Sequence, residues 1–178
     1  MSDAVEFFMR QALHVAREGL EKGELPIGAV VVLKGEIISS AHTMEKSEGR
    51  LLVHAELLAL EAADKIKPFP GKRRDLKLFV TAEPCLMCLG AAMSVFLGEI
   101  YYGHECPSDG AVALIQQWQR KEEDFPNYRV PKIVGGVLRA EAIALFREYV
   151  SRHTSSAMWE WARTIAELEH QTCARASC

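Results

Sequence analysis

The run Leu76-Lys77-Leu78-Phe79-Val80-Thr81-Ala82 passes through Glu83-Pro84 into Cys85-Leu86-Met87-Cys88-Leu89-Gly90-Ala91, and its reading decides the fold. Its first seven residues are mostly apolar and strand-like. Pro84 suits the opening of a helix over Cys85–Phe96, since its φ is already helical and its missing N–H would have had no partner there. A strand feeding straight into a helix belongs to a layered α/β domain. Working upstream, apolar residues at Val5, Phe8, Ala12, Val15, Ala16 and Leu20 predict a helix over Asp3–Lys22. Ile27–Leu33 is a short β-branched run that suits a strand buried on both faces. Lys34-Gly35 supplies a turn, Glu36–Ala41 returns as a second strand, and the polar stretch 42–53 reads as a loop before a helix over His54–Ile66. Downstream, Pro68-Phe69-Pro70-Gly71 breaks the chain ahead of the Leu76 strand. Strands over Glu99–Gly103 and Lys132–Leu138 flank a helix over Gly110–Arg120. Helices over Ala140–Arg152 and Ser156–Leu168 complete the pattern, with Gln171–Cys178 fraying at the end.

At 178 residues the chain is long enough for one domain with a real core, residues 1–178, in which 153–178 forms a C-terminal helical extension. A net charge of -3 and a pI near 6.1 do not advertise a phosphate-binding surface. The densest basic run, Lys65–Lys67 with Lys72–Arg74, reads as a solvated loop face. The acidic, amphipathic N-terminus lacks the pattern of a signal peptide, and no apolar run approaches the ~20 residues of a membrane span. The expectation is a cytoplasmic protein with no membrane association. Five cysteines, two of them as Cys-x-x-Cys, favour a metal site or redox pair over a disulfide framework.

Two fragments carry chemistry: His54-Ala55-Glu56 and Glu83-Pro84-Cys85-Leu86-Met87-Cys88. Each opens a predicted helix. Cys85 and Cys88 are three residues apart, which puts both sulfurs on one side of the first turn. There the free N–H groups and the positive end of the helix dipole favour thiolates. With His54 they make three zinc ligands and leave a fourth tetrahedral position for water, the open arrangement of a catalytic site. Glu56, two residues past the histidine, is placed to handle protons without ligating the metal. Cys106, Cys173 and Cys178 lack this setting.

In these residues the sequence resembles the cytidine deaminase superfamily, whose zinc deaminases carry H-x-E…P-C-x-x-C. It is similar to the branch of bacterial tRNA adenosine deaminases and small guanine or cytosine deaminases. The resemblance runs from about residue 5 to 150 through Glu24–Val32, Gly35-Glu36-Ile37-Ile38, His54-Ala55-Glu56 and Thr81–Ala91. It implies a three-layer α-β-α fold with a central mixed five-stranded sheet, one Zn2+ per subunit, and a homodimer or higher homo-oligomer. It also implies that Ile27, Gly28 and Ala29 lie beside the substrate ring and that Ala82 and Glu83 offer it main-chain hydrogen bonds. Pro26-Ile27-Gly28 reads equally well as strand-entry geometry.

The chain departs from the family at the pocket. The asparagine usual eleven residues before the zinc histidine is Thr43 here, preceded by His42, and threonine cannot offer an amide's paired donor and acceptor. Arg50-Leu51-Leu52-Val53 stands where the adenosine branch reads Asp-Pro-Thr-Ala. His42 and Thr43 are candidate substrate contacts, and Arg50, His104 and Asp109 are candidates for the pocket mouth that also read as surface residues. Trp159 and Trp161 read as packing of the last helix, with stacking on a planar substrate as the alternative. The leading expectation is hydrolytic removal of the exocyclic amine from a small aminated heterocycle: a nucleobase, a nucleoside or an analogue. Editing of the wobble adenosine of tRNA comes second, because RNA binding leaves a basic footprint. A catalytically silent zinc-binding partner subunit is the third reading.

Overall fold

The computed structural model describes residues 2–66, 74–121, 123 and 128–168. Pro68–Gly71, the basic Lys67, Lys72 and Arg73, and the terminal Cys173 and Cys178 lie outside them. The elements are α1 (Asp3–Glu21), β1 (Gly28–Leu33), β2 (Glu36–His42), α2 (Glu45–Glu48), α3 (Ala55–Ile66), β3 (Leu76–Ala82), α4 (Leu86–Ser94), β4 (Glu99–His104), α5 (Val112–Gln116), β5 (Lys132–Val134), α6 (Arg139–Arg152) and α7 (Ala157–Ala166). The five strands form one mixed sheet in the order β2-β1-β3-β4-β5. β1 pairs antiparallel with β2 and β3, while β3–β4 and β4–β5 are parallel. Lys34 and Gly35 join β1 to β2 with φ of 50° and 87°, the positive values that a two-residue hairpin turn demands.

Strand alternation sorts the core onto two faces. Ala29, Val31, Leu78, Val80 and Ile100 pack with Ala55, Ala59 and Leu89 of α3 and α4. Val30, Val32, Phe79 and Tyr101 pack with Met9 and Ala12 of α1 on the opposite face. Phe79 and Tyr101 stack there with ring centroids 4.7 Å apart. A third cluster joins Ala16 and Leu20 of α1 to Phe146 and Tyr149 of α6 and to Ala162 and Ile165 of α7. This is the expected three-layer α-β-α arrangement. The last two helices lie beside α1 and bring α7 round toward the C-terminal end of β3.

Three local expectations are revised. The stretch read as a loop contains α2, a four-residue helix. β5 stops at Val134 because Gly135-Gly136 follows, with φ of 79° at Gly136. The helix read over Gly110–Arg120 shortens to α5. No helix among the described residues is long and apolar enough to cross a membrane.

Candidate active site

Two helix starts meet beside β3. The His54 carbonyl accepts the first bond of α3, from Leu58 N at 3.0 Å, and the Cys85 carbonyl does the same for α4, from Leu89 N at 3.0 Å. Both side chains therefore project from the positive ends of their helices. His54 Nδ1 lies 3.7 Å from Cys85 Sγ and 3.6 Å from Cys88 Sγ. Zinc bound tetrahedrally at its usual distances from sulfur and imidazole nitrogen would hold N and S about 3.6 Å apart. The donor set and its spacing fit that ion. Among the described residues these three form the cluster with metal-ligating geometry.

The protonation pattern of the protein groups points the same way. Hydrogen bonding from Cys88, aided by His54, holds the Cys85 thiol down at about 4, while Cys85 and burial push Cys88 upward. His54 is raised to about 10, first by Cys85 and then by Glu45. A dication arriving here would displace these protons. Glu56 is buried, 4% exposed, and burial pushes its carboxyl up to about 7. A carboxylate poised near neutrality can take a proton and return it.

A small inner cavity of about 30 Å3, room for about one water molecule, opens over these groups. Ile27, Thr43, Ala82 and Glu83 line it, alongside Cys106, Asp109 and Trp161. An outer vestibule of about 330 Å3, at the small end of the ligand-site range, shares Ile27, Glu45, His54, Asp109 and Trp161 and adds Ala157 and Met158 of α7. The Trp161 indole N–H donates to Ser108 Oγ at 3.0 Å and Asp109 Oδ1 at 3.1 Å. Its ring packs edge-on against Phe146, 5.6 Å between centroids. α7 thus roofs the pocket with a fixed aromatic plane.

The Glu83 carboxylate does not face a ligand freely. It accepts from Cys106 N and Val112 N, both at 3.0 Å, and so ties the segment after β4 to the start of α5. Its own N–H donates to the His104 carbonyl, which leaves the Glu83 carbonyl as the main-chain group for the hydrogen bond expected there. Gly28, Ala29 and His42 do not line the cavity. A Cβ at Gly28 would sit 2.3 Å from Ala16 N, so this glycine is where α1 touches β1. Ala29 is core, and the His42 ring bonds Lys22 Nζ and the Thr43 carbonyl. Arg50 pairs with Glu48 on the surface, His104 is fully buried against Phe146, and Trp159 donates to the Val150 carbonyl. Sequence reasoning missed Glu45, which lies in both cavities, and read Asp109 and Trp161 chiefly as surface and packing residues.

Residues 2–104 match the model of the cytidine and deoxycytidylate deaminase zinc-binding region. The chain belongs to this zinc deaminase family. The tRNA-specific adenosine deaminase of Bacillus subtilis (strain 168) is 37% identical over 147 residues, covering 80% of this chain and 89% of that one. A solved structure from work on A-to-I editing by tRNA:A34 deaminases is 29% identical with a TM-score of 0.66, over 78% of this chain and 98% of that one. The guanine deaminase from Nitrosomonas europaea shares the fold at 23% identity and a TM-score of 0.62, over 81% of this chain and 83% of that one. With this family come zinc and hydrolytic cleavage of a C–N bond.

Proposed function

We propose that His54, Cys85 and Cys88 hold one zinc ion per subunit, that Glu56 moves the protons, and that the substrate is a small planar aminated heterocycle. The observation that carries the substrate reading is the roof: Trp161, held by Asp109 and Ser108 and backed by Phe146, borders both the inner cavity and a vestibule of about 330 Å3. Bound zinc supplies a Lewis acid that makes a water nucleophile available near neutral pH. Glu56 takes a proton as the water oxygen bonds to the amidine carbon. It delivers that proton to the ring nitrogen, then takes the remaining proton of the added hydroxyl and hands it to the departing amine as the C–N bond breaks and the carbonyl forms. Water is consumed, ammonia leaves, and a carbonyl remains where the amine was. Ala82 shapes the wall against which the ring lies, and Ile27 packs on its face.

Similarity favours a second reading, the wobble adenosine of tRNA, at least as strongly as the first: the curated relatives at 33–37% identity are mostly tRNA-specific adenosine deaminases. The mildly acidic composition is too weak an argument to set that aside. The roof and a lining with no lysine or arginine among the described residues weigh on the other side. An ammonia-release screen separates the two. Turnover of free bases or nucleosides without turnover of tRNA anticodon stem-loops supports the small substrate, and the reverse retires it. In the same screen Glu56→Ala is expected to lose turnover by about 10^2–10^4-fold while keeping its zinc; retained activity would remove Glu56 from the role. A homodimer or larger homo-oligomer acting in the cytoplasm completes the proposal, supported by the exposed Leu51, Leu52, Leu86 and Leu114 and by three free cysteines among the described residues.

A further inference from the structure

The segment between β2 and α3 holds a carboxylate behind the metal-binding histidine. α2 exists because a remote side chain caps it: Glu24, 1% exposed, accepts from Lys46 N at 3.0 Å and Ser47 N at 2.7 Å. Gly49 then ends the helix in the left-handed region at φ 61°. This clamp fixes Glu45, the first residue of α2, so that its side chain turns back toward β2 and α3. Glu45 Oε2 accepts from the Thr43 hydroxyl at 3.1 Å. Its Oε1 lies 3.6 Å from His54 Nε2, the ring nitrogen that faces away from the two sulfurs. Thr43 is itself 1% exposed and tied to the Ile27 carbonyl through its N–H, so the whole series rests on β1.

An imidazole can offer its Nδ1 lone pair to a metal only when the ring proton sits on Nε2. A carboxylate at Nε2 favours that tautomer, limits rotation of the ring and raises the basicity of the ligating nitrogen. The Glu45 side chain is only 18% exposed, so water does not screen this contact as it would a surface pair. We propose that Glu45 is the positioning residue for the zinc ligand His54, with Thr43 orienting Glu45 and Glu24 fixing the helix that carries it. In this role the Thr43 hydroxyl turns toward Glu45 and supports the metal ligand rather than the substrate.

This inference rests on the reading of His54 as a zinc ligand, and its test keeps the two apart. Zinc affinity of the full chain is measured by competition with a chromophoric chelator for the wild type, Glu45→Ala, Glu45→Gln and His54→Ala. Glu45→Ala is expected to bind zinc about 10–100-fold more weakly. Glu45→Gln, which keeps an oxygen acceptor for the Nε2 proton, recovers part of that loss and carries the test should the alanine variant fail to fold. The thermal midpoint of the zinc-free proteins should stay level across the Glu45 variants, as a merely structural role would not allow. Wild-type affinity in both Glu45 variants overturns the proposal, and a raised KM with unchanged zinc affinity overturns it in favour of a substrate contact. Equal zinc binding by the wild type and His54→Ala would instead overturn the metal reading.

Discussion

Replacing Glu56 by glutamine should remove a loss of stability that the zinc-free protein suffers as pH rises, because burial opposes ionisation of the Glu56 carboxyl. Burial raises the Glu56 carboxyl from 4.5 to about 7. Below pH 4.5 the group is protonated in both folded and unfolded chains and contributes nothing. Between 4.5 and about 7 the unfolded chain releases its proton while the folded chain keeps it, so stability falls as pH rises. Above 7 the loss is complete, and a rise of this size corresponds to about 3 kcal/mol. Glutamine has no proton to lose. Its amide brings a desolvation cost of its own, but that cost is the same at every pH and cancels when two pH values are compared. The assay is urea unfolding of chelator-stripped wild type and Glu56→Gln at pH 5 and pH 8. The wild type should lose about 2–3 kcal/mol more than the variant between those values, part of the loss being already present at pH 5. His54, Cys85 and Cys88 interact with the Glu56 charge, so the difference reports Glu56 together with that coupling. Parallel pH dependence in the two proteins would refute the reasoning, for it would mean that water reaches Glu56 and that its carboxyl is ordinary.

Two further substitutions probe the roof and the packing beneath the site. Trp161→Ala removes the donor to Ser108 and Asp109 and the ring against Phe146; KM for a small heterocycle should rise about tenfold or more, and larger substrates should gain relative to it, with unchanged relative rates counting against the roof. Gly28→Ala would press a Cβ to 2.3 Å from Ala16 N and 2.4 Å from the Ala12 carbonyl oxygen. The neighbours are backbone and cannot rotate aside, so a loss of about 1–3 kcal/mol is expected in urea unfolding, and wild-type stability would show that α1 is free to shift.

What could be read in the sequence follows from how local each signal is. Cys85 and Cys88 share a helical turn, and His54 and Glu56 share another, so spacing along the chain fixes most of their geometry. The strand pattern is likewise local, and the alternation of Ala29 and Val31 against Val30 and Val32 onto two covered faces is visible as one unbroken apolar run. Glu45 was hidden for the opposite reason. It sits in a polar stretch whose helix α2 is capped by Glu24, 22 residues before Lys46 and 23 before Ser47, and no short window contains both. His104 misleads because histidine reads as a surface residue until the strand carrying it is placed under Phe146. Trp161 depends on α6 and α7 packing together through Phe146, Ala162 and Ile165 before it can reach Asp109.

This division of local from distant also bears on what the similarity means. The family match ends at residue 104, and it contains α3, β3 and α4, the elements that bring the metal-binding groups and Glu56 together. Those residues govern the bond that breaks. Selection of the molecule that carries the bond falls to the rim. There Thr43 is turned toward Glu45, and Asp109, Ala157, Met158 and Trp161 come from beyond the matched region. The family match therefore speaks for hydrolytic deamination, while the choice of substrate rests with residues at the rim. Movement of α7 away from Asp109 would cost both bonds to the Trp161 indole and its contact with Phe146, and we expect a polynucleotide, bulkier than a free ring, to need more of that movement. If tRNA is nevertheless the substrate, Trp161→Ala should speed its turnover by relieving that cost, whereas for a small heterocycle the same change removes a wall and slows it. The opposite signs make this one variant a test of both substrate readings.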